Sequence, residues 1–389
     1  MTRVDPPCRY FGHCGGCALQ DLSYPDQLAL KRERLQQTLA PLGGLPIEII
    51  GLDDPWRYRQ KSEMSFGTDG TGLILGYHAA GSYRRVVDLE DCLLLPAFAL
   101  PPLRSVLRHA KTTGQTAYHP RTHQGWLRYA IARTSRLQQR VMLCLVTASG
   151  SRETAEQLAQ AVMDEHPEIA GFWWGTTDRL ADAALPEQLT LLRGEATMEE
   201  QVGPFRLTMD PLSFVQASTV QAHRLYTAVC LALGDLREAV AWDLYSGIGT
   251  IALYLAGQVR RVYAIDSEPR HTELAAQNAA ANGITNLSPW TGRVETLLRD
   301  RRFWMGEAKP DVVVVDPPRA GLHPGALSSI LAARPKQLAY ISCSAQSLAR
   351  DAALLQSCFP RYRPTAITAF DMFPQTNHVE TFALFERAG

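Results

Sequence analysis

The chain carries no surplus of charge: 39 Lys and Arg balance 39 Asp and Glu across 389 residues. A polyanionic partner must therefore be met by local basic patches, because no overall field steers it in. Long hydrophobic runs are missing as well. No stretch is apolar enough to span a bilayer, and the opening "MTRVDPPCRY" lacks the apolar segment of a secretory signal. Membrane and secreted classes are set aside, and a cytoplasmic location is the expectation. Internal repeats and low-complexity tracts are absent too. Eight cysteines in a cytosolic chain of this length do not make a disulfide framework. With 46% hydrophobic and 20% charged residues, the composition is that of an ordinary globular protein with two or three domains.

Three rhythms follow one another along the chain. Residues 1–47 hold a cysteine cluster and a helical stretch, "PDQLALKRERLQQTLAPL", closed by Gly43 and Gly44. Residues 48–205 alternate short strand candidates ("SEMSFG", "LILGYH", "RVMLCLVTA") with turns, and Ser151 opens a helix, as in a small α+β domain. From 206 to 389 strands and helices alternate. "AVAWDLY", "RVYAID", "DVVVVD" and "QLAYISC" are nearly unbroken apolar runs, as strands buried on both faces of a parallel sheet must be. "PTAITAFDMF" and "VETFALFER" follow without a helix between them, which predicts an antiparallel pair. The fold class is α/β, with a doubly wound sheet.

Ligands of open α/β sheets sit beyond the C-terminal ends of the strands. Those ends supply "DLYSGIGT", Asp266, "DPPR" and Cys343. The glycine turn lacks the G-x-G-x-x-G spacing of a dinucleotide site, while Asp266 follows at the distance that suits ribose hydroxyls. That combination favours S-adenosylmethionine over NAD. Cys343 ends a strand and Ser344 is placed to cap the next helix, whose N-terminus would lower the thiol pKa toward neutrality. Position alone leaves a core cysteine and a nucleophile both open.

"SFVQAS", "DLYSGIGTIAL", "VVVVDPPRAGL", "YISCSAQSLARD" and "DMFPQTNHVE", in that order, resemble the bacterial RNA uracil-5-methyltransferases. The resemblance runs through essentially the whole chain. It implies a class I S-adenosylmethionine methyltransferase domain, with Cys343 as nucleophile and Glu380 as general base. Gln216, Tyr245, Asp266 and Asp316 correspond to the cofactor-binding positions. Asp266 stands where Glu is usual, Ser218 replaces Asn, and "WTGRVE" offers no evident acidic partner for the adenine. His378 is read as structural or RNA-contacting.

"CRYFGHCGGC" spaces Cys8, Cys14 and Cys17 by five and two residues, and Cys92 lies in "DLEDCLLLP". Spacing leaves zinc and iron–sulfur both open. The resemblance, closest to the 23S rRNA members that lack an extra N-terminal β-barrel, implies a [4Fe–4S] cluster on these four. Cys144, Cys230 and Cys358 are expected in the core. "WRYRQKSEMSF" and "GSYRRVV" interleave basic and aromatic residues as single-strand RNA grooves do. The expected partner is 23S rRNA, with tRNA as the alternative, and neither DNA nor membrane; the chain is expected to act as a monomer. The rival readings are a cytosine-5-methyltransferase, which would not need Glu380, and a non-catalytic metal-bearing RNA-binding factor.

Overall fold

The computed structural model describes residues 1–181, 183–300, 302, 304–306, 308–359 and 361–388. The chain folds as two units: residues 1–23, 54–200 and 209–212 form one, and residues 24–53, 201–208 and 213–389 the other. This division departs from the three consecutive segments read from the sequence. After Ser23 the chain enters the second unit with helix α1 (Tyr24–Thr38) and strand β1 (Glu48–Ile50). A short 3-10 turn at Ala40–Leu42, ended by Gly43 in the left-handed region (φ 90°), separates them.

The first unit is then built by β2 (Lys61–Asp69), β3 (Gly72–His78), β4 (Val86–Asp88), α2 (Leu100–Thr112), β5 (Leu127–Ser135), β6 (Arg140–Thr147), α3 (Arg152–Glu165), β7 (Ile169–Thr176) and β8 (Gln188–Gly194). Its seven strands lie in the order β4-β3-β2-β5-β6-β7-β8. All pairs are antiparallel except β6 and β7, which α3 joins as a crossover. Ser151 caps α3 by accepting the Thr154 N–H at 3.2 Å. Leu103, Val106 and Leu107 of α2 and Leu158 and Val162 of α3 share a core with Met64, Leu75 and Leu143 of the sheet.

The hairpin of β9 (Met198–Val202) and β10 (Phe205–Met209) carries the chain onward. The second unit continues with α4 (Thr219–Leu233), β11 (Leu236–Leu244), α5 (Thr250–Ala256), β12 (Val259–Asp266), α6 (Pro269–Ala281), β13 (Leu287–Thr291) and α7 (Val294–Leu297). It closes with β14 (Val312–Val315), α8 (Pro324–Ala333), β15 (Gln337–Ser342), α9 (Ala345–Ser357), β16 (Tyr362–Phe370) and β17 (Glu380–Arg387). Eight strands form one sheet in the order β1-β16-β17-β15-β14-β11-β12-β13. The four apolar runs are central strands, and β17 is antiparallel to β16, as read from the sequence, and also to β15. β1 pairs in parallel with β16 instead of joining the α+β domain. Helix α1 is tied to the same edge: Lys31 Nζ donates to Asp371 at 2.6 Å, with both side chains fully buried. Cys144 and Cys230 are core residues, but Cys358 is the partly exposed C-cap of α9. Among the described residues no helix is long and apolar enough to cross a membrane.

Candidate active site

The C-terminal ends of β11, β12, β14 and β15 lie side by side in the second unit and deliver the polar groups expected of them. After β11 the chain turns sharply, with Tyr245 (φ 65°), Gly247 (φ 53°) and Gly249 (φ 84°) in the left-handed region. A side chain on Gly249 would stand 2.9 Å from the Ala275 Cβ, so glycine lets α5 and α6 approach. The Gly247 N–H donates to Oδ2 of Asp266 at 2.9 Å, while Oδ1 accepts the Glu268 N–H at 2.9 Å and contacts His271 Nδ1 at 3.1 Å. Burial pushes the Asp266 pKa up, but the His271 and backbone hydrogen bonds outweigh it and hold the carboxyl below its ordinary value. His271 was not legible as a partner; its place is one helical turn beyond the strand end.

Cys343 follows the last residue of β15. The Ser342 hydroxyl accepts the Ser344 N–H at 3.1 Å and donates to the Ser344 carbonyl at 2.9 Å, pinning the turn that holds Cys343. Ser344 caps α9 by accepting the Ser347 N–H at 3.3 Å, as its position suggested. The antiparallel register ends with Ser342 paired to Thr381, so Cys343 and Glu380 are the next residues along the two neighbouring strands, and the Glu380 charge acts on the Cys343 thiol. Glu380 is 2% exposed, and its Oε1 is buried without a hydrogen-bond partner. Asp316, one residue past β14, accepts a hydrogen bond from Gln216 Nε2 at 3.2 Å, and Gln216 is itself 3% exposed.

A buried carboxyl, Glu380, a half-buried one, Asp316, and a thiol thus share one site, and the charges of the acids oppose ionisation of Cys343. Burial pushes Asp316 up to about 7, with the Gln216 hydrogen bond opposing. Burial and then the Asp316 charge raise Glu380 well above its ordinary value, with Arg319 opposing. Cys343 is also raised, by burial first and then by Glu380, so the lowered thiol expected from the helix N-terminus is not what the site provides. Desolvation and neighbouring acids outweigh the helix end. Arg319 is the cation that eases both Cys343 and Glu380 toward their charged forms. The sequence reading quoted it within "DPPR" without giving it a role.

Two cavities flank the Asp316–Gly321 loop. One of about 680 Å³ is lined by Tyr245, Asp266, Pro318 and Ala320, and by Glu295, an acid in "WTGRVE" that the sequence reading passed over. The other, of about 400 Å³, is lined by Cys343, Arg319, Arg34 and His378. Arg319 Nη2 lies 3.3 Å from the His378 ring, which packs edge-on against Phe373. An arrangement with a thiol in one chamber, a ribose-type carboxylate in the next and acids near the thiol suits group transfer between two ligands.

In the first unit, Cys8, Cys14, Cys17 and Cys92 line one small cavity together with Phe11, Tyr77 and Leu94. Burial pushes the Cys17 thiol up to about 12, and Cys92, Cys14 and Cys8 add to the rise. Among the described residues, however, no group of three or more His, Cys, Asp or Glu side chains is arranged to hold a metal ion. The four expected ligands are therefore gathered around one cavity, but the metal-binding arrangement read from the sequence is not seen among the described residues.

A sequence model of the family described as tRNA (Uracil-5-)-methyltransferase matches residues 197–388. An uncharacterized RNA methyltransferase of Staphylococcus aureus (strain N315) is 32% identical over 390 residues, covering 99% of this chain and 84% of that protein. One from Caldanaerobacter subterraneus is 32% identical over 391 residues, covering 99% and 85%. The chain is also similar to the crystal structure of Pyrococcus abyssi tRNA (uracil-54, C5)-methyltransferase in complex with S-adenosyl-L-homocysteine. That likeness has a TM-score of 0.75 and 25% identity over 95% of this chain and 85% of that one.

Proposed function

The chain belongs to the RNA uracil-5-methyltransferase family, and from that premise we propose that it transfers a methyl group from S-adenosylmethionine to carbon 5 of a uridine in 23S rRNA. The observation that supports this reading is the β15–β17 register, which ends at Ser342 and Thr381 and brings Cys343 and Glu380 to the same strand ends, with the Asp316 charge acting on both. Carbon 5 of uracil is too electron-poor to attack a sulfonium directly. The Cys343 thiolate adds to carbon 6, forming a C6–S bond and making carbon 5 an enolate-like nucleophile. Carbon 5 takes the methyl group as the methyl–sulfonium bond breaks. Glu380 then removes the remaining proton from carbon 5, and the electron pair expels the Cys343 thiolate, restoring the ring double bond. A cationic methyl donor bound beside the thiol would in turn draw Asp316 and Glu380 toward their charged forms. Tyr245 and Asp266 would hold its nucleoside part, and Gln216 and Asp316 the groups nearer the reaction.

The same premise assigns Cys8, Cys14, Cys17 and Cys92 to a [4Fe–4S] cluster. Four soft donors around one small cavity support a metal centre there, and the choice of iron–sulfur over zinc rests on the resemblance. With every iron taken by protein, it would leave no open site for substrate, and its role would be structural or RNA-positioning. Protein purified anaerobically should contain iron and sulfide, both lost in Cys92→Ser; zinc without iron overturns the assignment. We place the enzyme in the cytoplasm as a monomer.

A tRNA substrate is the second reading, favoured by the likeness to the Pyrococcus abyssi tRNA enzyme. Labelled methyl transfer to unmodified 23S rRNA and tRNA, side by side, separates the two. Label in 5-methyluridine of 23S rRNA supports the first, and label in tRNA alone overturns it while keeping the chemistry.

A further inference from the structure

The first unit carries a cavity of about 550 Å³ that the methyl-transfer chemistry does not use. Its wall includes Arg84, Arg121 and Arg128, with His78 and His119, and no acidic residue. In a chain of zero net charge, such a cationic concentration is a local footprint for a polyanion. Aromatic rings alternate with the cations. Tyr83 is 73% exposed, far above the ordinary exposure of a large ring, and the Arg84 guanidinium lies 5.1 Å from its centre. Across the groove Tyr118 stacks at 4.1 Å against Arg128, which is buried and held by the carbonyls of Thr177, Arg179 and Ala181.

The loop bearing Tyr83 is braced from behind. Ala80 donates to the His13 carbonyl at 2.8 Å, Gly15 donates to the His78 carbonyl at 2.8 Å, and Cys14 bridges to Ala79. Within the loop the Ser82 hydroxyl accepts the Arg84 and Arg85 N–H groups. An exposed ring on a braced loop loses little entropy when a base stacks on it. The cysteine segment therefore positions this wall of the groove.

We propose that this groove binds a single-stranded segment of the RNA substrate, with a base stacked on Tyr83 and backbone phosphates on Arg84 and Arg121. The proposal rests on the RNA-methylating reading for its choice of polyanion. Stacking on aromatic rings and pairing of arginine with phosphate do not require a particular base sequence, so the groove grips and the active site selects.

The test uses the full chain and a fluorescent mixed-sequence single-stranded RNA 12-mer, with its duplex as control. Tyr83→Ala should weaken single-strand binding about tenfold, the loss of one stacked base, and Tyr83→Phe should restore it. Arg121→Ala should lower the slope of log affinity against log salt by about 0.7. Both should raise KM for RNA with kcat and the KM for S-adenosylmethionine unchanged. Unchanged RNA binding in both variants overturns the proposal and leaves the groove to an acidic protein segment. Equal losses on single strand and duplex also overturn it. Wild-type protein that binds the 12-mer through Tyr83 but transfers no methyl group to any RNA would retain the groove and overturn the activity.

Discussion

Gln216 donates its amide to Asp316 at 3.2 Å, and that hydrogen bond is what opposes burial in setting the Asp316 charge. Each residue ends a different connection, one before α4 and one after β14, and their pairing closes the rim beside Cys343. Removing the donor leaves a half-buried carboxyl without its partner. Gln216→Ala should lower methyl transfer by about a hundredfold or more, a loss on the scale of one positioned donor. Gln216→Glu, which substitutes a third acid for the amide, should do no better. Single-turnover rates at saturating methyl donor would measure both, and rates within twofold of wild type would remove Gln216 from the site.

Cys343→Ala should abolish transfer, and Glu380→Gln should stall the reaction after methylation. The stalled variant should accumulate a covalent enzyme–RNA adduct that survives denaturing electrophoresis. Its absence, with Cys343→Ala also active, would exclude the thiol addition.

The pH dependence follows from the raised thiol and the raised base. Below its pKa the thiolate fraction of Cys343 grows as pH rises, and Glu380 loses its proton in the same direction, so kcat/KM should climb from neutral into alkaline pH. Arg319→Ala should move the climb to higher pH, and Arg319→Lys should largely return it. A profile flat between about pH 7 and about pH 9 would contradict a raised thiol.

Stability responds with the opposite sign. A carboxyl raised on folding holds its proton where the unfolded chain has lost it, so stability falls as pH climbs from the ordinary carboxylate range through about 7 for Asp316. Asp316→Asn removes the half-buried charge but keeps the shape. Its melting temperature should exceed that of the wild type by a few degrees or more at about pH 8 and match it near about pH 4. Calorimetry at the two pH values decides the matter.

Lys31 and Asp371 are a fully buried ion pair, supported by the Tyr24 hydroxyl at 3.0 Å from the carboxylate. Lys31→Met strands the carboxylate and should cost about 3–5 kcal/mol in denaturant unfolding, much of it recovered in Lys31→Met with Asp371→Leu. A single variant as stable as wild type would show that the pair holds nothing.

The central strands were legible because burial on both faces leaves an unbroken apolar run, as in "VVVV" of β14. β13 was not listed among them, since "LSPWT" carries a proline and two polar residues at the far edge. β1 was misplaced because three residues, "EII", carry no period, and its partner lies more than 300 residues away in β16. Motif order pointed to Cys343 and Glu380, but their nearness rests on a strand register that no local pattern encodes. The thiol pKa was misread for a similar reason. A helix end is visible in sequence, while the burial and the acids that outweigh it belong to the tertiary fold. Arg34 on α1 reaches the Cys343 chamber because residues 24–53 fold into the second unit, far in sequence from β15.

The placement of α1 and β1 has a consequence for how the chain is made. The second unit opens with residues 24–53 and resumes only at about position 201, so its first strand must wait for β16 to be synthesised. During translation Lys31 has no Asp371 to meet, and the edge that β1 will cover does not yet exist. The inserted first unit can fold meanwhile, holding the early segment near its eventual partner and shortening the loop that remains to be closed. A chain shortened to begin near residue 206 would lose that segment altogether. It would keep Gln216, Asp316, Arg319, Cys343 and Glu380 but lose Arg34 from the Cys343 chamber, expose the flank of β16 and bury Asp371 without its cation, and it should be recovered mainly as aggregate.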